Sequence, residues 1–394
     1  MTGLKKTLSY LSDGTIVELI DNTKLFQVHS YEKNPIISPT DLGLTWYEDG
    51  QYLVGSIFNS GATILNEKVI LSPRVHAEYQ RGQFFDETLQ IERIAFKNYI
   101  SKIWILISED GINFERHHNT LLKGDGTYHN DFYHGIEDAR IIKTNGRYFL
   151  IGCGKVSPPF QGYFGSKGDR IAIYSTQDFV EINYHGVIED IDMRNAVIFP
   201  EIISGKNYIL LRFGKNIHID IMEAGMDQLL QPCKYRLLWD KVYKRRKQTT
   251  LLEVGNYPHE KEKIGPGTPP IRTERGWLLI YHAVGEIDPS IGRLYGLYPK
   301  INRSYSICAA LLDLDNPTKV LCRTKNPIYI PSKPWELYGN EIYPVDIPAV
   351  VFPTGLIVVN NKVLLYCGAG DKYVVLLSFH LDSLIEYLWR ECRL

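Results

Sequence analysis

Five times along the chain, a turn built from Asn, Gly, Lys or Arg opens into a short run of bulky apolar residues that stops at a polar or charged one. The first is Asn66-Glu67-Lys68-Val69-Ile70-Leu71, running on through Ser72-Pro73 to Arg74, and the second is Asn145-Gly146-Arg147-Tyr148-Phe149-Leu150-Ile151. Gly205-Lys206-Asn207-Tyr208-Ile209-Leu210-Leu211-Arg212 and Arg275-Gly276-Trp277-Leu278-Leu279-Ile280-Tyr281-His282 follow. The last is Asn361-Lys362-Val363-Leu364-Leu365-Tyr366, continued by Cys367-Gly368-Ala369-Gly370-Asp371. Copies about 60 to 85 residues apart are the signature of small antiparallel sheets repeated around an axis. A weaker strand-turn-strand signal follows several copies, at 108–114, 175–179 and 312–317. The pattern predicts an all-β chain folded as a five-bladed β-propeller; a pair of β-sandwiches is the other arrangement that frequent turns allow.

Around the repeats, residues 1–35 read as an N-terminal extension in which 16–28 can pair as a strand. The propeller is expected over 36–380. The tail 381–394 carries Leu381, Leu384, Ile385 and Leu388 at helical spacing, which predicts a C-terminal helix packed on a blade. A second short helix is expected within 221–230.

In a propeller the strand ends of several blades meet at one pocket near the axis. The polar residues that end the runs are Arg74, Arg212, His282 and Asp371. Salt bridges between blades account for such endings as well as a site does. The stretch His134-Gly135-Ile136-Glu137-Asp138-Ala139-Arg140-Ile141 adds two adjacent carboxylates and an arginine before an apolar strand, below a polar, aromatic run at 127–133. Strand alternation sends Glu137 and Asp138 to opposite faces, so one faces a site while the other pairs with backbone or with Arg140. The simpler alternative is a salt bridge at the start of the strand.

Composition narrows the partners. The chain of 394 residues is 44% hydrophobic, and its 44 basic and 45 acidic side chains leave a net charge of -1, which argues against nucleic acid or an anionic membrane as partner. No apolar stretch approaches the ~18 residues of a membrane helix, and the start, Met1-Thr2-Gly3-Leu4-Lys5-Lys6, leads into no secretory signal. Six scattered cysteines show no zinc or disulfide spacing, so neither a zinc site nor a disulfide framework is expected, and the location expected is cytoplasmic. The 26 tyrosines suit a carbohydrate surface and β-sheets equally, and a homo-oligomer is permitted.

Two further stretches bear on chemistry. Gly265-Pro266-Gly267-Thr268-Pro269-Pro270-Ile271-Arg272-Thr273 is a rigid loop that delivers Arg272 just before the fourth run. Arg194-Asn195-Ala196-Val197-Ile198-Phe199-Pro200-Glu201 leads into the third. Arg74, Arg212 and Arg272 with His282 make a cation set suited to an oxyanion. Inorganic phosphate fits opposite Asp138 as proton donor. An inverting hydrolase instead needs a second carboxylate to activate water, and Glu201 and Asp371 are candidates.

The chain resembles glycoside hydrolase family 130, the β-mannoside phosphorylases and β-1,2-mannosidases. The likeness is carried by Phe58-Asn59-Ser60-Gly61-Ala62, the Gly135–Arg140 stretch, 195–201, the Pro269–His282 block and Tyr366–Asp371. The resemblance implies a five-bladed propeller. It also implies inverting, reversible phosphorolysis of β-1,2- or β-1,4-manno-oligosaccharides to α-mannose 1-phosphate, with inorganic phosphate as co-substrate and no metal or organic cofactor. By position, Asp138 is the implied catalytic acid, acting through a mannose hydroxyl. Arg212, Arg272 and His282 are the implied phosphate binders, and Asn59, Arg74, Glu137 and Asp371 the substrate binders. Ala139 stands where the family usually has proline, Arg272 where lysine is common, and Ala283 where glycine often follows the histidine. Linkage and acceptor are expected to depend on loops 81–98 and 156–168. A β-mannosidase using water and a non-catalytic sugar-binding propeller remain the other readings.

Overall fold

The computed structural model describes residues 2–394 apart from 20, 87–90, 98, 123–131, 133, 156–168, 190 and 299. Five antiparallel sheets form the blades of a propeller. Blade 1 runs outward as Ser56–Leu65, Lys68–His76, Lys102–Ser108 and Glu115–Leu122, and blade 2 as Ile136–Thr144, Arg147–Lys155, Asp169–Thr176 and Ile182–Ile188. Blade 3 is Arg194–Ile198, Tyr208–Phe213, Asn216–Ile221 and Thr250–Leu252. In blade 4, Lys263–Pro266 and Ile271–Arg272 both pair with Trp277–Gly285, followed by Ser304–Leu312 and Val320–Arg323. Blade 5 is Val351–Val359, Lys362–Ala369, Tyr373–His380 and, from the other end of the chain, His29–Ser30. Ser30 pairs with Leu377 and His29 with Ser378, so an N-terminal strand covers the edge of the last blade and closes the ring. The ring therefore begins ahead of residue 36, inside the segment expected to be an extension.

The repeated runs are the second strand of every blade, and the innermost strand is the one before the turn. Each run is apolar without a break because it serves two cores. Successive side chains point to opposite faces, and each blade is covered on both. Val69 and Leu71 of blade 1 join the core shared with blade 5, whereas Ile70 joins that shared with blade 2. Leu150 of blade 2 faces blade 1 while Phe149 and Ile151 face blade 3. Leu210 faces blade 4, and its neighbours Ile209 and Leu211 face blade 2. Leu278 and Ile280 pack toward blade 5, with Leu279 and Tyr281 toward blade 3. Leu365 completes the circle against blade 4 as Leu364 and Tyr366 face blade 1. A core between every adjacent pair excludes two sandwiches. At about 1.5–3 kcal/mol per large side chain buried, these cores hold the ring together.

The tail forms the helix Leu381–Glu391, which sets Leu384, Ile385 and Leu388 into the core between blades 4 and 5. The helix expected in 221–230 is reduced to Asp227–Leu230, because Gly225 turns the chain at φ 61°. The longer helix of this region is Arg236–Lys244, whose Trp239 and Val242 pack on the core between blades 2 and 3. Among the described residues no helix is long and apolar enough to cross a membrane.

The innermost strands are irregular where they approach the axis. Pairing slips between Phe58 and Gly61, between Glu137 and Arg140, and between Arg194 and Val197. At each slip one residue sits at positive φ: Asn59 (47°), Asp138 (54°) and Asn195 (55°). Asn and Asp are the side chains that tolerate this backbone best after glycine, and an extra residue of this kind is a β-bulge that re-aims its side chain. The slip at Asp138 also leaves its carbonyl without a ladder partner. The Arg140 guanidinium fills that role. It donates to Asp138 O (2.9 Å) and reaches across the axis to Gly267 O (3.0 Å) and Pro266 O (3.2 Å) of blade 4. Arg140 is 1% exposed and lies over the Phe352 ring, so it closes the channel below the bulges.

Replacing Arg140 by Met leaves three buried carbonyls without a donor. Each unmet buried acceptor costs about 1–3 kcal/mol, so Arg140→Met is expected to lower the unfolding free energy by about 3 kcal/mol or more in denaturant titration. An unchanged midpoint would show that these bonds carry no stability.

Candidate active site

The three bulges open on one cleft of about 840 Å³, lined at its floor by Asn59, Glu137, Asp138, Arg194 and Asn195. Because the bulge breaks strand alternation, both carboxylates face the cleft, contrary to the opposite-faces expectation. Nor does Arg140 pair with either carboxylate, since its donors are taken by carbonyls. Glu137 is clamped instead by Arg74 (2.6 Å) and by Arg194. Asp138 accepts from the Asn59 amide (2.8 Å) and lies 3.4 Å from Arg74 and 4.0 Å from Arg194. Burial alone would raise the Asp138 carboxyl; Arg74, Arg140 and Arg194, with the Asn59 hydrogen bond, outweigh it and hold the carboxyl below its ordinary value.

Arg74 is itself fixed, donating to the Tyr99 hydroxyl (2.7 Å) and to His76 (3.2 Å). Its pKa is raised because Glu137, Tyr99, Asp138 and Asp371 outweigh the effect of burial. Asn59 keeps its place because the second strand of blade 5 has no side chain opposite it: a Cβ on Gly368 would stand 1.9 Å from Asn59 Oδ1. Asp371 sits on a turn in which Gly370 and Asp371 both have positive φ and Lys372 N–H donates to Ala369 O (3.0 Å). Burial pushes its carboxyl up to about 7, with Asp138, Asp346 and Glu137 adding to the rise and Arg74 opposing it.

Across the cleft the charge reverses. Arg194 bridges to Asp169 (3.1 Å), which also holds Lys155. Beyond it stand Arg212, Lys263 and Arg303, gathered around Tyr305. The Tyr305 ring lies 5.0 Å from the Lys263 ammonium and 5.3 Å from the Arg303 guanidinium. Burial would raise the Tyr305 phenol, but the two cations pull it below its ordinary value. Arg212 is lowered to about 10 by burial and by Arg194, and Lys263 is lowered by burial and Arg212 against the pull of Tyr305. Arg194, Arg212 and Lys263 repel one another in a partly buried corner, with Arg303 exposed at its rim and bonded to Glu262 (2.9 Å), which is the electrostatic signature of a seat for an anion. His282 lies directly behind. It is fully buried, tilted against Phe352 with ring centroids 4.4 Å apart, and neither ring nitrogen has a hydrogen-bond partner among the described residues. Burial, then Arg212, Lys263, Arg140 and Arg194, drive its pKa well down, so the ring is neutral. Gly265 makes room for it, since a Cβ there would stand 2.4 Å from the ring.

Of the residues singled out in the sequence, the structure brings together Asn59, Arg74, Glu137, Asp138, Arg212 and Asp371 in the cleft, with His282 behind its wall. It does not bring Arg272. The loop after Pro266 carries the chain onward along blade 4, so that Arg272 pairs with Trp277 while Gly265 pairs with His282. At ~3.3 Å per strand residue this is roughly 16 Å away. Arg272 is exposed there, bonded to Glu201 (2.7 Å), and Glu201 leaves the cleft with it. Sequence reasoning missed Tyr99, Lys263, Arg303 and Tyr305, and gave Arg194 and Asn195 no role beyond their place in the stretch leading to the third run. One signal was available: Asn59-Ser60, Asp138-Ala139 and Asn195-Ala196 repeat an Asn or Asp before a small residue at each slip. The loop 156–168 and most of the run 127–133 lie outside the described residues. The hairpin Gln80–Asp86 with Ile91–Lys97 brings Glu92 to the cleft.

Asp371 yields a signed prediction. A carboxyl raised from 3.8 to about 7 on folding keeps its proton in the native state after the unfolded chain has lost it. Stability is therefore full below the unfolded value and falls as pH rises toward 7, by at most about 1.4 kcal/mol per pH unit. Denaturant titrations of wild type against Asp371→Asn from pH 4 to 7.5 are expected to show this decline only in wild type. Parallel curves would mean that Asp371 does not titrate in this range.

With the geometry in hand, known proteins give the site its context. A sequence model of a family described as beta-1,4-mannooligosaccharide phosphorylase matches residues 32–390. A 1,2-beta-oligomannan phosphorylase of Thermoanaerobacter sp. (strain X514) is 28% identical over 325 residues, spanning 79% of this chain and 94% of the relative. A beta-1,2-mannobiose phosphorylase of Listeria innocua is 28% identical over 93% of this chain and 99% of its own length. The solved structure of a Listeria innocua beta-1,2-mannobiose phosphorylase with beta-1,2-mannobiose superposes with a TM-score of 0.66 at 24% identity, covering 92% of this chain and 99% of that one, and so shares the fold. A match over this span, on a five-bladed ring with its charged axial cleft, makes the chain a member of glycoside hydrolase family 130.

Proposed function

We propose that the cleft carries out inverting phosphorolysis of β-mannosides, giving α-mannose 1-phosphate and a shortened acceptor. The observation that carries this is the cation corner. Arg212 and Lys263 have no carboxylate partner among the described residues, and together with Arg194, Arg303 and the Tyr305 hydroxyl they suit a phosphate dianion. In the opposite corner Asp138 is the acid. A phosphate oxygen attacks the anomeric carbon as the bond to the leaving oxygen breaks, and the Asp138 proton passes to that oxygen, directly or through a sugar hydroxyl. Three guanidiniums keep Asp138 ionised in the empty cleft. A dianion beside Arg194 and Arg212 offsets that field, so phosphate binding favours the protonated acid that the step requires.

Hydrolysis by inversion needs a carboxylate across from the acid to activate water. Glu201 is on the outer surface with Arg272, and Asp371 lies on the Asp138 side with Arg74 and Glu137 rather than among the cations. The charge on the attacking side favours an anionic nucleophile. For linkage, the relatives matched over most of this chain are named for β-1,2-mannosides, which supports β-1,2-mannobiose as the first substrate to test. The seat assigned here replaces Arg272 by Lys263 and Tyr305, with His282 as a neutral dipole behind them.

Incubation with β-1,2- and β-1,4-mannobiose, with and without phosphate, is expected to give mannose 1-phosphate only when phosphate is present. Free mannose at equal rates in both would establish a hydrolase instead. Asp138→Asn should lower kcat by about 10²–10⁴-fold. Lys263→Ala or Arg212→Ala should raise KM for phosphate about tenfold or more, a loss of ~1.4 kcal/mol or greater, with Arg272→Ala within twofold of wild type. The reverse ranking would restore Arg272 to the site.

A further inference from the structure

The floor of the cleft is charged, but one wall is not. Its lining from 338 to 352 is Tyr338, Ile347, Pro348, Ala349, Val350 and Phe352. Tyr338 is 69% exposed although it borders the cleft. A large aromatic left in water on a flexible loop would mean little, but this loop is firmly anchored. The fully buried Glu336 carboxylate accepts from Ser332 N–H (2.8 Å), Lys333 N–H (3.0 Å) and the Tyr329 hydroxyl (2.9 Å). Ala349 N–H donates to Leu337 O and Val350 N–H to Glu336 O, both at 2.9 Å, so the two limbs of the excursion are tied at its base. Asp346 and Ile347 N–H groups both donate to Gly370 O (2.9 and 3.1 Å), the residue before Asp371. The apolar wall is thus continuous with the turn that carries a cleft carboxyl.

Direction follows from depth. Arg140 closes the channel beneath the bulges, and Glu137 and Asp138 are only 2% and 4% exposed at the bottom. A sugar chain cut beside Asp138 has its terminal residue below the scissile bond and its remainder leading out through the mouth. Among the described residues that line the cleft, Tyr338 is the exposed aromatic. An aromatic face paired with small apolar side chains matches the C–H face of a pyranose, whose hydroxyls then point toward water or the polar wall.

We propose that Tyr338, on the same cleft wall as Ile347 and Pro348, is the platform for the acceptor-side sugar, and that it sets affinity for the acceptor without taking part in the chemistry. This rests on the phosphorylase reading above. The test uses the full chain in the synthetic direction, with mannose 1-phosphate as donor and β-1,2-mannobiose as acceptor, for wild type, Tyr338→Ala and Tyr338→Phe. Tyr338→Ala is expected to raise KM for the acceptor 5–20-fold, about 1–2 kcal/mol, with kcat and KM for mannose 1-phosphate within twofold of wild type; Tyr338→Phe should recover most of the loss. Calorimetry of β-1,2-mannobiose on Asp138→Asn, with and without Tyr338→Ala, should show the same ratio in Kd. An acceptor KM within twofold of wild type in Tyr338→Ala overturns the platform, as does an equal rise in KM for mannose 1-phosphate. A wild-type protein that forms product in neither direction overturns the phosphorylase reading and the platform with it.

Discussion

A guanidinium withdrawn from water must find acceptors in the protein, and Arg140 finds them in three backbone carbonyls from two blades on opposite sides of the axis. Much else depends on that one placement. The bulge at Asp138 frees a carbonyl, Arg140 satisfies it, and the strand can then keep an aspartate at positive φ. The same side chain ties blade 2 to the first strand of blade 4, which carries Lys263, and closes the channel below. The cleft becomes a blind funnel whose floor holds the acid. The charge of Arg140 also bears on Asp138 and on His282, keeping one ionised and the other neutral in the empty site.

The funnel is divided electrostatically. On one side Glu137 and Asp138 are held by Arg74, Arg194 and Asn59. On the other, Arg212, Lys263 and Arg303 crowd around a tyrosine whose phenol they pull down. Arg194 stands between and touches both sets through Glu137 and Asp169. Such an arrangement is costly when empty, because the like charges of half-buried Arg194, Arg212 and Lys263 lie close together. A dianion relieves that repulsion and loosens the grip of the arginines on the acid. Binding of the nucleophile and loading of the acid are in this way one electrostatic event.

The blades were legible because the second strand of each lies between two cores, which writes an unbroken apolar run such as Val363-Leu364-Leu365-Tyr366 into the chain. The C-terminal helix was legible for the same reason, as its apolar positions answer to a single core. The site was only half legible. Arg74, Arg212 and Asp371 end regular strands and could be followed to the axis. Arg272 could not, since nothing in a Pro-Gly loop says which way along the neighbouring strand it runs; the pairing of Ile271 with Leu278 sends it to the far end. Strand alternation sends Glu137 and Asp138 to opposite faces, a rule that the bulge suspends. Lys263 opens the four-residue strand Lys263–Pro266 and Tyr305 lies near the start of Ser304–Leu312, and both show themselves only when three dimensions bring them beside Arg212. Tyr338 belongs to a loop whose order comes from buried Glu336, and no periodicity announces it.

An oxyanion is expected in the corner of Arg212, Lys263 and Tyr305, with Asp138 facing it across the scissile bond. A crystal structure of the protein grown with inorganic phosphate and β-1,2-mannobiose tests this most directly. Phosphate density is expected within hydrogen-bonding reach of Arg212 and Lys263, on the face of the terminal sugar opposite Asp138. Phosphate bound only beside Arg272 and Glu201, or a terminal sugar with its anomeric carbon turned away from the cation corner, would contradict it.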